Sequence, residues 1–317
     1  MSSITTRQTF TIEPLQAGEH DAVARLLHSS LYNWYQQRLG QGERFGETHT
    51  PFLVIPEVYD ELDPGEALVA RDRSSGAVIG VCFVHPRPTH ISIGIVATAT
   101  EAQGRGVARA LIEPVILRAK REGKPVRLVS SALNLDSFSL YTRLGFVPHT
   151  LYQDLTVNVP AGGLRANPPE GISRVRSATP ADCAAMAGLE LQLQGISREK
   201  DYHYFLTGKS GSWRTWLQET PAGEVQGFLV ASHDERNLKI GPGAAVDDDA
   251  ALALLWVALD SLHGRTPIVL VPCAAEKLVR TAYAWGARNV ELHMAQCLGC
   301  CPPRRGVSFP TFLPESG

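Results

Sequence analysis

From Thr9 to Val157 the chain switches repeatedly between two apolar spacings. Thr9–Leu15 (TFTIEPL), Glu66–Asp72 (EALVARD), Ala77–His85 (AVIGVCFVH), His90–Thr98 (HISIGIVAT) and Val126–Ala132 (VRLVSSA) are short runs rich in apolar and β-branched residues, the pattern of strands. Between them, His20–Leu39 and Pro56–Leu62 repeat apolar residues at helical spacing, as do residues 104–121 and 136–143. A last strand pair is expected around GFVPHTLYQDLTV, residues 145–157. The predicted order is β-α-α-β-β-β-α-β-α-β-β.

The second half repeats this order more faintly. Strands are predicted at Ile172–Ala178, Ser212–Glu219, Val225–Ser232, Leu238–Ala245, Pro267–Val271 and Asn289–Gln296. Helices are predicted to open at Thr179 and Pro180, to cover Tyr202–Leu206 and Asp249–Leu262, and to end at AYAWGA, residues 282–287. Internal duplication explains this economically; its best local match sets SLYTRLGFV (139–147) beside TAYAWGARN (281–289), pairing Tyr141 with Tyr283. The stretch NVPAGGLRANPPEG (158–171) has the composition of an extended linker. The expected organisation is a first domain at 1–158, a linker at 159–170 and a second domain at 171–317, which suits a 317-residue chain.

Composition narrows the function. A net charge of −2 with 20% charged residues gives no basic patch, so nucleic acid is not an expected partner. The start, MSSITTRQTFTIEP, lacks a basic and then apolar leader, and no window is apolar enough to span a membrane, so a cytoplasmic location is expected. Six cysteines are unremarkable in number. His293, Cys297, Cys300 and Cys301 in HMAQCLGCC have ligand-like spacing, but zinc sites join two separated pairs, so no metal is expected and the cluster reads as reduced thiols.

The chemistry concentrates in QGRGVARAL. Gln103, Gly106 and Ala108 spell Q/RxxGxG/A between a strand and a helix. A helix start offers unpaired backbone N–H groups and the positive end of the dipole, and can hold a pyrophosphate if no side chain blocks the approach. Gly104 and Gly106 remove those side chains. Arg105 and Arg109 either add positive charge or are ordinary solvated residues.

Strand HISIGIVAT, loop QGRGVA, helix, strand VRLVSSA and then NLDSFSLYTRLGF, carrying Asn134, Ser137, Tyr141, Gly145 and Phe146, together resemble the cofactor half of the GNAT superfamily of N-acetyltransferases. The resemblance covers about Thr89 to Leu155 and implies an α/β (α+β) chain of two tandem GNAT folds, each a mixed, mostly antiparallel sheet flanked by helices. It also implies an acetyl-CoA-dependent acyltransferase acting on a small-molecule or peptide amine, with coenzyme A as product. Pantetheine is expected along Val96, Ala97 and Thr98, and pyrophosphate on Gln103, Gly104, Arg105, Gly106, Val107 and Ala108. Asn134 and Ser137 carry over as cofactor contacts and Tyr141 as the acid to the departing thiolate. From the residues alone, Asn134 also reads as a helix cap and Tyr141 as a core residue.

The family's usual strand glutamate falls here on Ser92. With period-2 alternation Ser92 shares a face with His90, so His90 is the expected base and Ser92 a residue that orients water; a solvent-facing strand start is the other reading of His90. The loop GQGERFGETHT (40–50), with Glu47 and His49, is expected to shape the acceptor site. In the second half Asp247, Asp248 and Asp249 stand where a pyrophosphate needs positive potential, so that copy is expected to have lost CoA binding. The prolines around Phe309 and Phe312 predict a packed tail. Two other readings are a GNAT-like acyl-thioester decarboxylase and a non-catalytic acetyl-CoA-responsive module.

Overall fold

In the computed structural model, which describes residues 9–208 and 211–310, the two spacings become strands and helices almost where they fall in the sequence. The first elements are β1 (Phe10–Pro14), α1 (His20–Leu39), α2 (Val54–Leu62), β2 (Leu68–Asp72), β3 (Val78–Pro86), β4 (Ile91–Thr98) and α3 (Val107–Glu122). They are followed by β5 (Val126–Ser131), α4 (Leu135–Arg143), β6 (Val147–Thr156), β7 (Val175–Ser177), α5 (Cys183–Gln194) and α6 (Glu199–Thr207). The last are β8 (Trp213–Glu219), β9 (Val225–Ser232), β10 (Lys239–Ala245), α7 (Asp248–Asp260), β11 (Ile268–Pro272), α8 (Glu276–Ala284), β12 (Arg288–Leu298) and β13 (Val307–Phe309). This is a mixed α/β fold whose strands pair mostly antiparallel.

The strand pair expected at 145–157 is instead the single strand β6. It is hydrogen-bonded by β12 on one side and β11 on the other, so its backbone needs no turn to be satisfied. Pro148, which cannot donate, sits at a shift in the β6–β12 register, and the irregularity absorbs it.

The chain gathers into two compact units, one running to His85 and resuming over Ile93–Glu122, the other made of Pro86–Ser92 and the chain from Gly123 on. In the first unit the strand order is β1-β2-β3-β4, with β1–β2 and β2–β3 antiparallel. Helix α1 buries Val23, Ala24, Leu26, Leu27 and Tyr35, and α3 buries Val107, Leu111, Ile112, Val115, Ile116 and Ala119, each a stripe at helical spacing. Close approach fixes α3: a Cβ on Gly80 of β3 would lie 2.7 Å from Val107 and 3.0 Å from Leu111.

In the second unit the order is β5-β12-β6-β11-β10-β9-β8-β7, with β13 on β10 and the first two residues of β4 parallel to β5. Its core is built on α7, where every residue from Ala250 to Trp256 is buried together with Ala258 and Leu259. Phe309 of the tail is fully buried there; Phe312 lies outside the described residues. The division between units does not fall at the expected linker. Val157 and Val159 are buried in this core and donate their N–H groups to Pro267 and Arg265 carbonyls, and Leu164 packs on the same cluster. The N-terminal half of this stretch is therefore laid along the second unit.

Candidate functional site

In the first unit, β4 ends at Thr98, a short 3-10 turn covers Thr100–Ala102, and α3 begins at Val107. Gly104 and Gly106 between them have φ of +74° and +79°, a region that other residues enter only under strain, and a Cβ on either would meet nothing within 4 Å. The first bond of the helix runs from the Ala110 N–H to Gly106 O at 3.0 Å. Helix geometry therefore leaves the N–H groups of Val107, Ala108 and Arg109 without intrahelical acceptors. The loop is an open, side-chain-free approach to a helix start, and it fits a diphosphate. Arg105 is held beside it by Thr9 Oγ1 at 2.6 Å and Asp72 Oδ2 at 3.0 Å, whereas Arg109 pairs with Glu113 on the exposed helix face. The Ser74 hydroxyl first, and then Arg105, hold Asp72 far below the usual carboxylate range.

Next to this turn lies an open cavity of about 670 Å³ whose polar lining includes His28, Asn33, Glu47, His49, Thr100 and Glu101. Asn33 Nδ2 donates to Thr100 Oγ1 at 3.1 Å, tying α1 to the turn. His49 Nε2 is 2.7 Å from Asp21 Oδ1, and His28 Nε2 is 2.9 Å from Gly46 O, so both rings are held by hydrogen bonds. Arg25 and then His49 hold Asp21 below its ordinary value. Glu47 and Glu101 are exposed and carry no ion pair among the described residues.

Sequence reasoning missed a second arrangement in this unit. His85 at the end of β3 and Asp63 after α2 are both buried, with Nδ1 2.7 Å from Asp63 Oδ2. The carboxylate takes the Nδ1–H and so places the ring's lone pair on Nε2, which faces Gly94 of β4 closely enough that a Cβ there would be 3.0 Å away. A histidine closing an otherwise apolar run was the available signal.

The second unit holds His90, Ser92, Asn134, Ser137 and Tyr141. His90 does not face solvent; it and Ser92 are each 1% exposed, and Ser92 Oγ has no hydrogen-bond partner among the described residues. Thr89 Oγ1 accepts the Ser197 N–H at 2.9 Å and lies 2.9 Å from His90 Nδ1, where the hydroxyl either donates to the ring nitrogen or accepts from it, according to the tautomer. Burial, then Arg127, Arg198 and Arg87, push His90 well below its ordinary value. Two of these guanidiniums are paired in the interior: Arg87 with Asp201 at 2.6 Å, and Arg198 with Glu190 at 2.6 Å. Asn134 caps α4, its Oδ1 accepting the Ser137 N–H at 3.0 Å, while Ser137 Oγ donates to Asn134 O. Tyr141 is buried with its ring edge-on to Phe146 at 5.7 Å.

The second helix start is already occupied by its own chain. Asp247 accepts the Ala250 N–H at 2.9 Å, Asp248 accepts the Leu278 N–H at 3.1 Å, and Asp249 pairs with Lys277. His293 is bonded to Asp154 at 2.8 Å. Among the described residues no three His, Cys, Asp or Glu groups are placed to hold a metal, and no helix is long and apolar enough to cross a membrane.

Residues 28–146 match the acetyltransferase (GNAT) family model. A candidate acetyltransferase from Pyrococcus horikoshii shares the fold with a TM-score of 0.71 at 16% identity, over 95% of this chain and 92% of that one. A GCN5-related N-acetyltransferase from Sphaerobacter thermophilus aligns with a TM-score of 0.63 at 15% identity, over 93% and 96%. A tandem GNAT protein from the clavulanic acid biosynthesis pathway aligns with a TM-score of 0.59 at 13% identity, over 93% and 99%. At these identities the likeness is one of fold. No curated protein sequence matches the chain.

Proposed function

We propose, on the premise that residues 28–146 form a GNAT-family acetyltransferase domain and the protein is an acyltransferase, that it transfers the acetyl group of acetyl-CoA to a cationic amine. The observation that carries this reading is the open loop Gln103–Ala108, with two left-handed glycines at the start of α3. Its N–H groups are assigned to the pyrophosphate, and the backbone of Val96, Ala97 and Thr98 at the end of β4 to pantetheine. Asn134 and Ser137, already engaged in capping α4, are assigned contacts to the same donor. Acetyl-CoA supplies an activated thioester. Residues 171–317 are a second copy of the fold in this proposal and bind no donor, because Asp247, Asp248 and Asp249 would repel its phosphates.

The acceptor is assigned to the cavity beside Thr100. An amine of pKa about 10.4 arrives protonated at pH 7, and freeing its lone pair costs about 4.6 kcal/mol. Glu47 and Glu101 suit such a cation on arrival. Its proton is assigned to a buried imidazole, His90 directed through water by Ser92, or His85 oriented by Asp63. Tyr141 is assigned as the acid that protonates the departing thiolate.

Thiol release from acetyl-CoA, measured across a panel of small and peptidyl amines, tests the reading. Turnover is expected only with an added amine, and thiol release independent of every amine would sink it. The Glu47→Gln, Glu101→Gln double variant is expected to raise KM for cationic amines about tenfold with kcat retained, on the order of two weak charge contacts. An unchanged KM would remove the acceptor from this cavity. Tyr141→Phe keeps the ring against Phe146 and is expected to lower kcat on the order of 10²-fold, the usual size of a lost acid. Comparing the acid limb of the kcat/KM profile in His85→Gln and His90→Gln identifies the base, since only its loss removes the limb.

A further inference from the structure

Cys297 and Cys301 surround a buried charge in the second unit. Cys297 on β12 pairs directly with Arg127 on β5, and residues opposite each other in an antiparallel pair project from the same face. The chain then turns at Gly299, whose φ is +100°, and brings Cys301 back over the same guanidinium, with Sγ 3.5 Å from Arg127 Nη2. Arg127 is 1% exposed; its guanidinium also donates to the Gln194 carbonyl at 3.4 Å, and no carboxylate among the described residues pairs with it. A buried guanidinium requires a counter-anion, and the acidic groups within reach are these two thiols. Arg304 lies close by and donates to Tyr152 Oη at 3.2 Å, with His149 Nε2 3.5 Å away.

These groups act on Cys301 together. The Cys297 thiol donates a hydrogen bond to it, and Arg127 and Arg304 add positive potential, so Cys301 is held well below the ordinary thiol range; donating that bond, burial and the Cys301 charge push Cys297 up. Cys301 is half-buried and open to a small reagent, whereas Cys297 is buried and Cys300 is exposed with no such neighbours. One sulfur is thus an accessible thiolate, and the other is a protonated thiol held against it.

We propose that Cys301 is an oxidisable thiolate for small hydroperoxides, with Cys297 as its resolving partner. The thiolate attacks one peroxide oxygen, forming an S–O bond as the O–O bond breaks, and the leaving oxygen takes a proton to depart as water or an alcohol. The Cys297 sulfur then displaces the hydroxyl from the Cys301 sulfenic acid, so that an S–S bond forms and the thiol proton leaves with the hydroxyl as water. Two thiols are oxidised by two electrons and one hydroperoxide is reduced.

The test treats the full-length protein with one equivalent of hydrogen peroxide and maps its cysteines by peptide mass spectrometry. Wild type is expected to lose two thiols per chain in a 297–301 bridge that dithiothreitol reverses. Cys297→Ser is expected to stop at a dimedone-trappable Cys301, and Cys300→Ser to behave as wild type. Alkylation before any oxidant should label Cys301 at least about tenfold faster than Cys300 at pH 6, as a lowered thiol pKa requires. Labelling of Cys301 no faster than Cys300, a bridge from Cys297 to Cys300, or dimedone capture at Cys300 alone would overturn the proposal. Cys301→Ser, in which the buried guanidinium keeps a neutral partner, should be inert to one equivalent.

Discussion

Acetyl-CoA titrated calorimetrically into the wild type is expected to bind with one equivalent per chain, and into Gly106→Glu to give no measurable heat. Two effects are introduced by this substitution. The first is backbone strain, about 1–2 kcal/mol for a side chain at φ of +79°, but the free and bound proteins carry it alike, so it weakens binding little. The second is a carboxylate in the open space at the start of α3, where nothing lies within 4 Å of the new Cβ. About 5 Å from a phosphate charge, at an effective dielectric of 20, it costs about 3.3 kcal/mol per pair of unit charges. That exceeds a hundredfold in Kd. Gly106→Ala separates the two, because it carries the strain alone and should bind within about threefold of wild type. Equal loss in both variants would mean that loop geometry, and not charge, was disturbed. Two equivalents in the wild type would overturn the assignment of 171–317 as a copy that binds no donor.

Glu190→Gln is expected to destabilise the second unit by about 3–5 kcal/mol, the usual cost of removing one partner from a buried ion pair. Glu190 and Arg198 are 1% and 2% exposed, and the carboxylate also accepts from the Tyr202 hydroxyl. Burial opposes the Arg198 charge, but Glu190 beside it prevails and the guanidinium is held above its ordinary range. With the charge gone, a guanidinium stays in the interior with its partner neutralised. Against a typical total of 5–15 kcal/mol, this loss is large enough to lower the urea midpoint of the second unit visibly. Arg280→Ala, which breaks the exposed pair with Glu276 on α8 of the same unit, should change its stability by less than about 0.5 kcal/mol. Similar shifts in the two variants would show that the interior pair contributes no more than a surface one.

The two predictions draw on information of different kinds. The glycine loop was legible because its requirement is local: a helix start with no side chains is written in consecutive residues, and Gly104 and Gly106 stand between β4 and α3 as the spacing placed them. Helix α1 runs from His20 to Leu39, the bounds of its apolar repeat. The Asn134 cap followed from the next turn of its own helix. In each case the partners lie within a few residues of one another.

The Glu190–Arg198–Tyr202 cluster, the His85–Asp63 pair and the Arg127–Cys301 contact were not legible, though every residue was in view. The acid or thiol that each buried cation or imidazole meets is 8 to 174 positions away, and no periodicity says which buried charges will meet. The sequence alone determined most of the elements, the repeated order and the glycine loop at the start of α3, because backbone conformation and amphipathic spacing are set by near neighbours. Tertiary structure alone decided that β6 is one strand held from both sides, that Val157 and Val159 belong to the second core, and that His90 lies buried, where burial and then the charges of Arg127, Arg198 and Arg87 oppose its protonation. Strand pairing and the neutralisation of interior charge are long-range choices, made only when the whole chain has packed.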